Sequence, residues 1–96
     1  MSVIQVVKLQ AMQGKADELL PMLDAGRGVA LASDGCEGFD VIRSQDEPEN
    51  FMLIERWASE DQHQAHFQKN IIESGVVEKV SSLLQVPMEY GYYEIC

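Results

Sequence analysis

Two histidines three residues apart, His63 and His66, lie with Glu55, Trp57 and Phe67 in the stretch Glu55 to Phe67, and most of the chemistry open to this chain is gathered there. Side chains three apart on a helix are neighbours, so the two imidazoles could in principle share a metal ion. They are the only histidines, and further ligands would have to be carboxylates or distant thiols without recognisable spacing, so no metal site is expected. His66 alone is the better candidate. Beside Phe67 and close to a helix face that packs on a sheet, it could serve as a general base or hydrogen-bond donor, or pin the corner by bonding Glu55 or a backbone group. Trp57 could be a core residue or the flat wall of a pocket for an aromatic ligand. Tyr90 and Tyr92 pose a similar choice, since their hydroxyls can bind a polar substrate edge or face water. Glu55 among apolar neighbours needs a partner if buried; Arg43, Arg27 or His66 could supply it, and a structural ion pair is the expected outcome.

These residues need a strand and a helix to hold them. Phe51, Leu53, Glu55 and Trp57 share one face of a strand, because side chains alternate, while Met52, Ile54 and Arg56 take the other. Ser59 then caps a helix, with Gln62 placed to reach back and Glu60 and Asp61 favourable near its positive end. Before this corner, Val3 to Met12 reads as a strand with Val3, Val7, Leu9 and Ala11 on one face and Ile4, Val6 and Met12 on the other. Apolar residues on both faces imply a sheet covered on both sides, by helices and by a second element such as another subunit.

Ala16, Leu19, Leu20, Leu23, Arg27, Ala30 and Leu31 recur at helical spacing after the turn Gln13-Gly14-Lys15. Pro21 implies a later start or a kink, because it lacks an N–H and crowds the carbonyl four residues back. Arg27 on that stripe is either a snorkelling side chain or an anion-binding group. Gly35 ends the helix. Cys36 to Ser44 forms a second strand with Phe39, Val41 and Arg43 on one face, joined by Asp46-Glu47-Pro48-Glu49-Asn50 to the third. A third helix begins at Asn70 or Ser74, carries Ile72, Val76, Val80, Leu83 and Leu84, and closes at Pro87. Met88 to Ile95 is the last strand, with Tyr90 and Tyr92 on one face and Tyr93 on the other. The order is that of an α+β, ferredoxin-like split βαβ fold with an antiparallel sheet, in one domain over residues 1–96.

Composition narrows the function classes. Seven basic against sixteen acidic residues give a formal net charge of −9, which repels phosphate backbones and argues against nucleic-acid binding. No apolar run reaches the roughly 18 residues of a membrane span and no signal core is present, so a cytoplasmic protein without a membrane partner is expected. Cys36 and Cys96 show no metal or disulfide spacing; with Asp34, Glu37 and Asp40 nearby, Cys36 is read as a packing residue. Gly-rich phosphate loops, nucleophile elbows, EF-hand loops and haem-attachment motifs are absent.

Gly14-Lys15-Ala16-Asp17-Glu18-Leu19, the run Gly35 to Ser44, Phe51 to Trp57 and His66, in this order and spacing, resemble the antibiotic biosynthesis monooxygenase family of the dimeric α+β barrel superfamily. The resemblance implies a homodimer whose two sheets face each other. It also implies oxidation of a quinol or polycyclic phenol by molecular oxygen without metal, flavin or haem. On this resemblance Trp57 walls the pocket, His66 assists proton transfer, and Arg43 or a tyrosine stabilises a phenolate, with Phe39, Glu55, Phe67 and Tyr92 completing the substrate site. The haem-degrading branch has an asparagine in the first strand where this chain has Val7, which argues against haem degradation. Gln68-Lys69-Asn70 lacks a second histidine found after the helix in some relatives. The same fold also carries non-catalytic binding or interaction modules and small-metabolite isomerases, which stay open as alternatives.

Overall fold

The structure, a computed structural model, describes residues 2–96. In chain order it comprises β1 (Val3–Gln10), α1 (Ala16–Leu31), β2 (Cys36–Arg43), β3 (Asn50–Trp57), α2 (Glu60–His66), a π-helical segment Phe67–Ile72, α3 (Val76–Ser81) and β4 (Glu89–Tyr93). The strands form one sheet in the order β2-β3-β1-β4, with every neighbouring pair antiparallel. This is the ferredoxin-like α+β arrangement that the apolar segments predict.

Register fixes which side chains meet. Gln5 of β1 lies opposite Glu55 of β3 and opposite Tyr92 of β4, and Glu55 lies opposite Phe39 of β2. Phe39, Glu55, Gln5 and Tyr92 therefore make one row across the sheet, on the face the helices cover. Val41, Leu53, Val7 and Tyr90 make the next row. Farther along, Val7, Leu9, Ala11 and Phe51 pack with Ala16, Leu19 and Leu23 from the first helix and Val80 from the third. Burial of each large apolar side chain contributes about 1.5–3 kcal/mol, so this cluster supplies much of the driving force for folding. A smaller cluster joins Ala30, Phe39 and Trp57.

The opposite face of the sheet is also apolar. Ile4, Val6, Met52 and Ile54 are half-buried there, while Ile42 and Tyr93 remain 47% and 55% exposed. No described helix is long and apolar enough to cross a membrane.

Several boundaries depart from the sequence reading. The first helix starts at Ala16 and runs through Pro21. The hydrogen bond that Pro21 cannot make would have gone to the carbonyl of Asp17, and both residues are on the exposed side, where water can take that carbonyl. The helix ends at Leu31, with the Ala32 N–H bonding the Gly28 carbonyl, rather than at Gly35. Gly35 instead sits in the turn before β2 with φ of 87°, and its carbonyl accepts from the Ala58 N–H at 2.7 Å. A Cβ at this position would come within 2.5 Å of the Gln62 side chain, so glycine lets the entrance of β2 close onto α2. The expected third helix is divided. Its first part is the π-helical segment, marked by the Glu73 N–H bonding the Gln68 carbonyl at 3.0 Å, and Gly75 in the left-handed region separates it from α3. Ala11, expected within β1, makes only an isolated bridge to Leu84. The last strand is shorter than Met88 to Ile95, and β2 stops one residue before Ser44.

Candidate active site

The strand–helix corner forms because Ser59 stops β3 and caps α2. Its Oγ accepts the Gln62 N–H at 3.2 Å and donates to Gln62 Oε1 at 3.1 Å, so Gln62 returns to the cap through the hydroxyl. With its start fixed, α2 turns both His63 and His66 inward; each is 6% exposed. Trp57 is fully buried, with its ring centroid 5.4 Å from that of His63 and 5.0 Å from that of His66. The indole therefore backs the imidazoles from within the core and is not among the residues lining the cavity, as a pocket wall would be.

Glu55 takes none of its three expected partners. Its Oε1 accepts from Trp57 Nε1 at 3.0 Å, and His63 Nε2 stands 3.9 Å away. Burial pushes the Glu55 carboxyl up to about 7, against the smaller opposing effect of the indole N–H. His63 is pushed down to about 4, mainly by burial and secondarily by the His66 charge. An ion pair would have moved both groups the other way. At neutral pH His63 is uncharged, so the expected structural ion pair is replaced by a buried carboxyl facing a neutral imidazole. On its other side His63 Nδ1 lies 2.7 Å from the Tyr92 hydroxyl. Tyr92 Oη and His63 are thus hydrogen-bonded, while His63 Nε2 and the buried Glu55 carboxyl stand beyond hydrogen-bond distance of each other.

His66 is held independently. Its Nδ1 lies 3.0 Å from Asn70 Nδ2 and 3.2 Å from Ser33 Oγ. An amide nitrogen only donates, so Nδ1 is the acceptor and, in the neutral ring, Nε2 carries the hydrogen. Burial lowers the His66 pKa and favours that neutral form. The partner foreseen for this histidine was Glu55 or backbone; the side chains of Asn70 and Ser33 hold it instead.

Between the sheet and the helices lies a cavity of about 90 Å³ with an almost wholly apolar lining, Val7, Leu9, Met22, Leu23, Phe39, Leu53 and Val80 among it. Gln5, Glu55, His63 and His66 are its buried polar members. A shallower hollow of about 410 Å³ adjoins it, bordered by Gln64, Gln68 and Tyr92. Gln5, His63, Phe67 and Tyr90 line both spaces. A cavity that holds benzene measures roughly 150 Å³, so an aromatic ring at this site must straddle the inner cavity and the outer hollow.

The structure brings Phe39, Glu55, His66 and Phe67 to the inner cavity and Tyr92 to the outer hollow. It sets Arg43 apart. This side chain bonds the Pro48 carbonyl, stands 3.7 Å from Asp17 and lies over the Phe51 ring at 5.2 Å, at the other end of the sheet. Arg27 is exposed and its Nε donates to the Phe39 carbonyl at 2.8 Å, consistent with an edge residue rather than an anion site. Cys36 is half-buried with its thiol pushed up by burial, and both cysteines are free. Among the described residues no three His, Cys, Asp or Glu side chains gather as metal ligands would. Gln5 and the contact between His63 and Tyr92 were missed from sequence. Gln5 did leave a signal, as a polar residue on the strand face otherwise carrying Val3, Val7 and Leu9.

Fold and site together define a ferredoxin-like α+β protein with a buried carboxyl and two neutral imidazoles against an apolar cavity. The family model for antibiotic biosynthesis monooxygenases matches residues 2–74, and the chain belongs to that family. Among solved structures, a Mycobacterium tuberculosis protein superposes with a TM-score of 0.88 at 22% identity, covering 100% of this chain and 96% of its own. A conserved protein from Methanosarcina mazei Go1 gives 0.88 at 20% identity over 97% and 91%. SnoaB, a cofactor-independent oxygenase from Streptomyces nogalater, gives 0.84 at 14% identity over 98% and 92%. At these identities the likeness shows the fold. A comparison with curated proteins finds no match.

Proposed function

We propose that the protein is a cofactor-independent monooxygenase acting on a quinol or a polycyclic phenol small enough to span the two hollows. The observation that carries this reading is the Glu55 carboxyl buried on an apolar cavity, where burial pushes it up to about 7 and so suits it to act as a base at neutral pH. Glu55 removes the phenolic proton. The phenolate passes one electron to oxygen, and recombination with superoxide forms a carbon–oxygen bond at a ring C–H. The peroxide takes a proton, the ring carbon loses its hydrogen as a proton, and the O–O bond breaks. One oxygen atom remains in the quinone product and the other leaves as water. His66 donates from Nε2 to the developing oxyanion, Trp57 holds Glu55, and Phe67 lies against the ring while the apolar lining, Phe39 among it, excludes water.

A second copy of the chain covers the open face of the sheet, where Ile4, Val6, Ile42 and Tyr93 need a partner to be removed from water. The smallness of the inner cavity favours, as a second reading, a binding module that uses the same groups without turnover.

The test is oxygen uptake by metal-stripped protein with hydroquinones and anthrone-like phenols, corrected for spontaneous autoxidation, on a sample whose mass in sedimentation corresponds to a dimer. Saturable uptake that falls about 100-fold in Glu55→Gln and less in His66→Ala is the expected result. No uptake above the blank across the panel would remove the oxygenase reading in favour of a binding module or an isomerase, and a monomer mass would remove the dimer.

A further inference from the structure

Gln5 is 5% exposed, yet its side-chain amide has no hydrogen-bond partner among the described residues, whereas Glu55, His63 and His66 each have one. Among the described residues every side-chain nitrogen or oxygen fully shut off from solvent is hydrogen-bonded, so the free end of this amide is the part that reaches the hollows it lines. Water in the hollows can reach this amide, yet Val7 and Leu9 on the same face show that apolar residues suit this face of β1. No contact among the described residues calls for an amide here. A ligand does.

We propose that Gln5 determines substrate specificity by hydrogen-bonding the ring oxygen of an aromatic ligand that straddles the inner cavity and the outer hollow. The proposal rests on the reading of this cavity as the substrate site, and it names the feature recognised: one oxygen on the edge of a flat, apolar ring. Gln5 lies in the row between Glu55 and Tyr92, one strand from each. Directly opposite residues on neighbouring strands have Cβ atoms about 4.5–5.5 Å apart, so an oxygen held by Gln5 is within reach of the Glu55 carboxyl. The amide suits both stages of proton removal. Its carbonyl accepts from a phenol, and its NH₂ donates to the phenolate or to a product carbonyl. Phe67 and Tyr90, which line both hollows with Gln5, provide the surfaces against which the ring lies.

The experiment compares binding of 1-naphthol and of 1-methylnaphthalene, which places a methyl where the hydroxyl would be, by titration calorimetry. Wild-type protein should prefer 1-naphthol about tenfold, the effect of one well-made hydrogen bond. Gln5→Leu should cut the preference several-fold by weakening naphthol and sparing or strengthening the methyl compound, Glu55 keeping the remainder. In wild-type protein the Gln5 side-chain NH₂ resonances should shift with 1-naphthol and stay in place with 1-methylnaphthalene, a readout that needs no variant to fold. Preference undiminished in folded Gln5→Leu, unmoved amide resonances, or no naphthol binding at all would each overturn the assignment. Discrimination that depends on Gln5 in a protein showing no oxygen uptake would uphold the assignment while removing the oxygenase reading.

Discussion

Strands β1 and β3 span the whole sheet, yet what they bury changes along their length. At one end Leu9 and Phe51 face each other and close with Leu19, Leu23 and Val80 into an apolar cluster. At the other, Gln5 faces Glu55, and all four buried polar or charged side chains of the described chain, Gln5, Glu55, His63 and His66, collect there. Alternation is the same at both ends; what differs is the chemistry placed on it. The first end contributes to stability through burial. The second gives some of that away, because a carboxyl and two imidazoles lose hydration without gaining full ionic pairing. A small domain can carry such a centre only with an apolar cluster beside it.

The strongest challenge to this division is Phe51→Ala. Removing a 2% exposed phenyl ring should cost about 3–5 kcal/mol in urea unfolding, and a loss below about 1 kcal/mol would mean that the apolar end is not the anchor.

The next test concerns the polar end and depends on the sign of two opposed titrations. Glu55 is raised from 4.5 to about 7, so its contribution to stability is full below pH 4.5 and is lost as pH rises toward 7. His63 is lowered from 6.5 to about 4, so its contribution is full above pH 6.5 and is lost as pH falls toward 4. In the wild type these two slopes oppose each other between pH 4.5 and 6.5, and the lowered His66 adds to the side of His63. Relative to wild type, Glu55→Gln should therefore lose more stability on acidification through this window and His63→Gln less, each difference at most about 3 kcal/mol. Chemical denaturation at a series of pH values measures both, and parallel curves for the two variants would refute the neutral pair. The smallest effect belongs to Arg43→Ala. Its contacts with Asp17 and the Phe51 ring are at the rim, so a stability loss under about 1 kcal/mol and unaltered oxygen uptake are expected, with a large fall in uptake placing Arg43 back in the site.

The sequence made the framework readable wherever one local rule acted alone. Alternation through Phe51, Leu53, Glu55 and Trp57 identified both the third strand and its inner face, and Ser59 marked the start of the next helix. Where solvent or a distant element intervened, local rules failed. Pro21 continues its helix because the carbonyl it strands is wet, and the polar run Gln68-Lys69-Asn70 gives no apolar repeat from which a π-helical turn could be inferred. The site was legible as a set of residues but not as a set of pairs. Glu55 was correctly placed among apolar neighbours, while its contacts with Trp57 and His63 depend on how far α2 is rotated over the sheet. The cavity was invisible for a similar reason: a void is set by how side chains on separate elements fail to meet, and spacing along one element does not encode that.

Trp57 is the only tryptophan in the chain, wholly shielded from water and in contact with both imidazole rings. Its ultraviolet emission therefore comes from one place. A neutral imidazole leaves an excited indole bright, whereas a protonated one accepts its electron and darkens it. The protein thus carries a light signal for the charge on its own histidines, readable during a reaction without any added label.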